Sequence, residues 1–194
     1  MKIVIVGNGK VGFSLAEQLV REKYDVVIVD LREDTLRRAA DALDIMSVKG
    51  NGISAATLIE AGAPDADLLV AATNSDEINM VCCLTAKHLG AKYAIARIRN
   101  PEYETQLRFM RGELGLTMSI NPEKAAAHEI ARVLRFPAAM KLESFSKGRL
   151  ELVESRLPEG SALDGVRLLD IYRNARARVL ICAVSRKGQT TIPS

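Results

Sequence analysis

The stretch GNGKVG, Gly7 to Gly12, follows the apolar run Ile3 to Val6 and is the strongest chemical signal in the chain. Glycines at this spacing suit a diphosphate. Gly7 permits a tight turn, Gly9 lets bare backbone approach a pyrophosphate at a helix N-terminus, and Gly12 lets that helix pack on the strand behind it. Taken alone, the same spacing also serves tight strand-to-helix turns. Asp30 narrows the choice, because it closes the next apolar run about 20 residues on, where a dinucleotide fingerprint places its ribose-binding acid. Its carboxylate would accept hydrogen bonds from the adenosine ribose and repel a 2′-phosphate, which favours NAD(H) over NADP(H). Arg32 is open between stacking on adenine, approaching a phosphate, and standing as an exposed loop arginine.

Such a site needs elements that bring several loops together. Apolar runs predict strands at Lys2 to Val6, Val26 to Asp30, Asp44 to Lys49, Leu68 to Thr73, Tyr93 to Ile98 and Thr117 to Ile120. Amphipathic stretches between them predict helices at Val11 to Glu22, Glu33 to Asp41, Ala55 to Ala61, Glu77 to Leu89 and Glu102 to Gly112. Strict alternation describes an α/β fold, a doubly wound parallel six-stranded Rossmann sheet, with every post-strand loop at one carboxyl edge. Gly50, Asn51 and Gly52 fall on that edge, as does TNSDEIN, Thr73 to Asn79. Asn51 is placed to meet an adenine ring, and Thr73 and Asn74 to flank the second half of a dinucleotide. Helix capping competes as the account of Ser75 and Asp76. Arg97 and Arg99, two apart on an otherwise apolar strand, predict either a bound anion, an acid across a subunit contact or a salt bridge at the sheet edge. The expected cofactor-binding set is Gly7, Asn8, Gly9, Lys10, Val11, Gly12, Asp30, Leu31, Arg32, Gly50, Asn51, Gly52, Ala72, Thr73, Asn74, Glu77 and Arg97.

A chain of 194 residues accommodates this domain, residues 1–136, and a smaller one, residues 137–194. A helix over Glu123 to Arg135, entered at Asn121-Pro122, is the expected link. Beyond Met140 the pattern reads as two strands around Lys147-Gly148, a helix over Leu163 to Arg173, and a strand running into another glycine turn. This small α+β module breaks off at Pro193-Ser194 as a partner strand should form, so the chain reads as cut within its second domain.

Composition excludes several classes. The 27 basic and 24 acidic residues give a net charge of only +3 with no dense basic run, which argues against general nucleic-acid binding. No segment approaches the roughly 20 apolar residues of a membrane span, and the start has no signal-peptide pattern. Cys82, Cys83 and Cys182 read as small core residues of a reducing cytosol. Without C-x-x-C, and with only His88 and His128 far apart, a metal site is not expected. His128 reads as a surface residue. Residues 137–194 contain no histidine and no evident pair of converging carboxylates, so the cofactor site lacks chemistry to serve. The catalytic set is therefore expected to be empty. An NAD-dependent oxidoreductase without its substrate domain is the chief alternative; a redox-sensing repressor lacks a helix-turn-helix.

VGNGKVG, the strand ending in Asp30, AGAPDADLLVAATNSDEINM, and ARIRNPEY followed by INPE together resemble the RCK or KTN nucleotide-binding domains of potassium transport proteins. The likeness covers the whole chain, with LESFSKGRLELVESRLPEGSALDGVRLLDI and RKGQTTIP similar to the start of the family's C-terminal ligand domain. It implies NAD or NADH, or in some relatives ATP and ADP, on the glycine loop, with Asp30 at the ribose and Arg97, Thr73 and Asn74 facing the cofactor. It further implies dimers or tetrameric rings, a place on the cytoplasmic face of the inner membrane, and regulation of a separate integral-membrane potassium-translocating subunit. Many members have aspartate at the position of Asn51, and the soluble transport subunits carry two such units in tandem, making this chain the first half.

Overall fold

Strands with apolar residues on both faces belong inside a sheet covered on both sides. The computed structural model describes residues 1–110, 112, 115–137, 139–145, 149–174 and 179–193. In order, β1 (Lys2–Val6), α1 (Lys10–Arg21), β2 (Asp25–Asp30), α2 (Glu33–Ala42), β3 (Met46–Lys49), α3 (Ala55–Glu60), β4 (Leu68–Ala71), α4 (Asp76–Leu89), β5 (Tyr93–Arg97), α5 (Pro101–Met110) and β6 (Met118–Ile120) alternate along the chain. The six strands pair in parallel in the order β3-β2-β1-β4-β5-β6. The expected doubly wound Rossmann sheet is the fold.

Side chains one residue apart on a strand point to opposite faces, and here both faces are filled. Ile3, Ile5, Val26 and Ile28 pack with Ala16 of α1 and with Leu36 and Ala39 of α2. Val4, Val6, Val27 and Val29 join Leu58 of α3, Cys82, Cys83 and Ala86 of α4, and Leu107 of α5. Each such branched side chain withdrawn from water contributes about 1.5–3 kcal/mol, so the centre of the sheet anchors everything at its edges.

Strand order reverses between β1 and β4, which opens a crevice at their carboxyl ends. The turn after β1 depends on two glycines in contact. Gly7 adopts φ +101°, and a Cβ there would lie 2.8 Å from the Thr73 amide nitrogen. A Cβ on Gly12 would lie 1.9 Å from the Gly7 carbonyl oxygen, so only a hydrogen lets α1 settle on β1.

Two strands end earlier than expected. β4 stops at Ala71 rather than Thr73, because the Thr73 N–H turns from the ladder to the Asn79 side chain at 2.9 Å. β5 stops at Arg97, so Arg99 does not share a strand face with it; the Arg99 N–H goes to Asp76 Oδ2 at 2.9 Å.

The chain divides into two compact units, Met1–Glu129 and Ile130–Ser194, with the division inside α6 (Pro122–Arg135). Pro122 begins this helix, and Asn121 Oδ1 caps it by accepting the Lys124 N–H at 2.9 Å. In the second unit β7 (Ala139–Phe145) and β8 (Leu150–Ser155) pair antiparallel; the expected turn at Lys147-Gly148 lies outside the described residues. α7 (Leu168–Asn174) begins five residues later than the expected Leu163, because Gly165 at φ +75° cannot sit in a right-handed helix. The partner strand expected beyond the end of the chain is already present. β9 (Val184–Arg186) pairs with β10 (Gln189–Thr191) across Lys187 and Gly188, both at positive φ as a two-residue hairpin turn requires. Cys182 precedes β9 and is exposed, not the core residue its apolar neighbours suggest. Among the described residues no helix is long and apolar enough to cross a membrane.

Gly12→Ala should cost about 1–3 kcal/mol, the penalty of overpacking a contact that cannot relax, and urea denaturation should show it as a lowered midpoint.

Candidate functional site

At the head of the crevice, α1 starts at Lys10 with Gly9 as its N-cap and no side chain satisfying the first amides. No acidic residue occupies its first turn. These free N–H groups carry the positive end of the helix dipole. A Cβ on Gly9 would meet no atom of the described residues within 4 Å, so packing among them does not account for this glycine. Lys10 is exposed and Val11 half-buried beside it.

Asp30 lies beneath the loop, its side chain only 12% exposed. Its Oδ2 accepts the Asn8 N–H at 2.6 Å and its Oδ1 accepts the Arg32 N–H at 2.8 Å, while Arg32 Nε stands 3.7 Å away. The carboxylate thus ties the end of β2 to the glycine loop and retains acceptor capacity for a hydroxyl. Asn8 is buried beside it; its Nδ2 donates to the Thr35 carbonyl at 2.7 Å, and its Oδ1 has no partner among the described residues. Leu31 and Arg32 are exposed.

After β3, the Gly50 N–H donates to the Asp30 carbonyl at 3.0 Å, which brings this loop alongside the same acid. Gly52 is buried. Asn51 is exposed; its Oδ1 accepts the Ile53 N–H at 3.2 Å in a local turn, leaving its Nδ2 outward.

The opposite wall is the segment Ala72, Thr73 and Asn74, half-buried at Thr73 and exposed at Asn74. Arg97 reaches it from β5, where its guanidinium donates to the Thr73 carbonyl at 3.3 Å and pairs with Glu123 at the start of α6. The salt bridge foreseen for this arginine therefore exists within the chain, and among the described residues its Nε is buried with no partner. Arg99 pairs instead with Asp76, whose Oδ2 also accepts the Asn100 N–H at 2.8 Å. Ser75 is the helix cap, accepting the Ile78 N–H at 3.2 Å. Asp76 and Asn79 are the residues whose roles sequence reasoning missed. Both lie on the buried stripe of α4 with Cys82, Cys83 and Ala86, and a polar group on such a stripe is the signal that could have found them.

Glu77 is turned toward α5. It accepts the Ser75 hydroxyl and the Tyr103 hydroxyl, each at 2.7 Å, at the rim of an apolar groove of about 380 Å³ lined by Met80, Val81, Leu84 and Leu107. The two hydroxyl donors, Ser75 first, hold its carboxyl down to about 2. Burial pushes both α4 thiols up, Cys83 to about 12, so they are protonated core groups rather than nucleophiles.

Residues 3–122 match the TrkA-N domain family. The Trk system potassium uptake protein TrkA homolog of Archaeoglobus fulgidus is 36% identical over 193 residues, covering 100% of this chain and 43% of that protein. The Trk system potassium uptake protein TrkA of Haemophilus influenzae is 40% identical over 198 residues, again covering 100% of this chain and 43% of its own length. This chain therefore spans less than half of either relative. Among solved structures, the TrkA-N domain of the Escherichia coli inner membrane protein ybaL superposes with a TM-score of 0.61 at 18% identity, over 69% of this chain and 96% of that one. The GsuK channel bound to NAD gives 0.58 at 21% identity, over 75% of this chain and 25% of that one. At these identities the structural likeness speaks for the fold.

A carboxyl held below its ordinary 4.5 favours the folded state at neutral pH, and that contribution disappears as pH falls from 4.5 through about 2. In Tyr103→Phe the Glu77 titration should move up toward 4.5, which carboxyl-detected NMR will resolve, and the acid sensitivity of the folded state should shrink accordingly.

Proposed function

The chain belongs to the TrkA-N domain family, and from that premise we propose that it is a nucleotide-binding regulatory domain whose occupancy gates a separate membrane potassium transporter. The observation that carries the reading is the turn after β1. Uncapped α1 amides face outward at Gly9, where a Cβ would touch nothing, and a fixed carboxylate stands at the end of β2. The residues fit a nucleoside diphosphate or dinucleotide. Amides of Gly9, Lys10 and Val11 would hold phosphate, Asp30 the ribose, and the Gly50 to Gly52 turn the base. Ala72, Thr73, Asn74 and Arg97 would meet whatever extends past the diphosphate, and Arg97 Nε is a donor lacking an acceptor among the described residues. Glu77, committed to Ser75 and Tyr103, stands at the margin of this set.

A bound nucleotide supplies charge and a flat ring here; the chain binds and orients it. No turnover is needed. NAD and NADH, or ATP and ADP, differ in charge or ring shape, and regulation follows if one member of a pair prefers one arrangement of the assembly. Self-assembly into dimers or rings is supported by α6, which buries none of its residues and leaves Ile130, Val133 and Leu134 exposed at helical spacing. Such a subunit works at the cytoplasmic face of the membrane holding its transporter.

Calorimetric titration of NAD, NADH, ATP and ADP tests the site. Gly9→Ala should keep stability within about 1 kcal/mol and weaken all nucleotides by roughly tenfold or more, because a methyl group would stand where the diphosphate approaches. Asp30→Ala should also weaken all four, since each carries the adenosine ribose; unchanged affinities would overturn this placement. NADH oxidation at enzymatic rates with any of a panel of carbonyl substrates would make the protein an oxidoreductase. In vesicles containing the transporter, wild-type protein with nucleotide should change potassium flux and the Gly9→Ala protein should not.

A further inference from the structure

Asn79 is a polar side chain with no exposure at all, on a buried helix stripe that continues through the small apolar groups Cys82, Cys83 and Ala86. A buried carboxamide is costly unless each of its atoms is matched, and here all are. Its Oδ1 accepts two bonds from Thr73, the N–H at 2.9 Å and the Oγ1 hydroxyl at 2.7 Å. Its Nδ2 donates to the Arg97 carbonyl at 2.8 Å and to the Thr73 carbonyl at 3.4 Å. One side chain of α4 therefore holds the end of β4 and the end of β5 together.

What it holds matters as much as the bonds. Thr73 is the backbone against which Gly7 is pressed, and its carbonyl also receives the Arg97 guanidinium. We propose that Asn79 is the positioning residue of the distal half of the crevice, holding Thr73 and Arg97 as one rigid wall opposite the glycine loop. The inference rests on the nucleotide reading above. Asn79 has no surface and touches no ligand; it acts by removing freedom from a loop that would otherwise have to be ordered during binding. The proximal half has its own support in Asp30 and Asn8, so the two halves are separable by ligand length. AMP reaches only the proximal half, whereas NADH extends beyond the diphosphate to the wall that Asn79 sets.

The test compares AMP and NADH by calorimetry on wild type, Asn79→Ala and Asn79→Asp, with thermal unfolding of each. The aspartate keeps the shape and the acceptor but loses the donor to the Arg97 and Thr73 carbonyls. Both variants should weaken NADH by roughly tenfold while AMP changes by less than about twofold. General destabilisation would not produce that selectivity. Equal loss for both ligands, or no loss, overturns the role of Asn79 while leaving the nucleotide site intact; failure of wild type to bind either ligand overturns the site itself. Hydrogen exchange in the wild type needs no variant. The Thr73 amide should be protected in the free protein as well as the β4 ladder amides are, and NADH should add little. Loop-like exchange that slows only on NADH binding would show that the wall is not preset.

Discussion

Everything at the ligand edge depends on bare backbone meeting bare backbone after β1. Gly12 rests on the Gly7 carbonyl, and Gly7 lies against the Thr73 and Ala72 backbone, at separations no side chain could share. That contact fixes where α1 begins, and therefore where its free amides point. It also sets how close the β4–α4 loop comes to them. Packing behind the turn makes the contact affordable, because fully buried Ile3, Ile5, Val4 and the neighbouring β2 residues hold the strands rigidly in place.

Around this contact the polar groups divide into anchors and free ends. Asp30 accepts the Asn8 and Arg32 amides with its two carboxylate oxygens, while Asn79 accepts from Thr73 through its oxygen and donates to the Arg97 carbonyl through its amide nitrogen. Asp76 Oδ2 accepts the adjacent Arg99 and Asn100 amides. Among the described residues the first α1 amides and Arg97 Nε remain without protein partners, at an acid-free helix start and a half-buried wall respectively. The crevice is shaped by these supports, which settle the orientation of its polar groups within the fold. Arg97 also joins that wall to Glu123 and hence to α6.

Much of the fold was legible because its signals are local. IVIV, then glycines, then an amphipathic run announce strand, turn and helix, and each element expected in the first unit is present within a few residues. The strand ends were less legible. Thr73 and Arg99 look like strand residues, but the hydrogen bonds that remove them from the sheet come from Asn79 and Asp76 on α4. The second unit was harder still, since a positive-φ glycine shortened α7 and a two-residue turn let β10 form where the chain seemed to stop.

The sequence by itself determined the parallel sheet, the glycine turn and the acid that answers it, because periodicity and glycine spacing act through the nearest few residues of backbone. Only the tertiary structure decided how that acid and the arginine are used. Asp30 is drawn to loop amides and Arg97 to Glu123, while Asn79 spans two strand ends. The Asn8 amide, the Arg97 carbonyl and Glu123 lie between 18 and 26 residues along the chain from the groups they bond, and a hydrogen bond is chosen by distance in space, which no local pattern records.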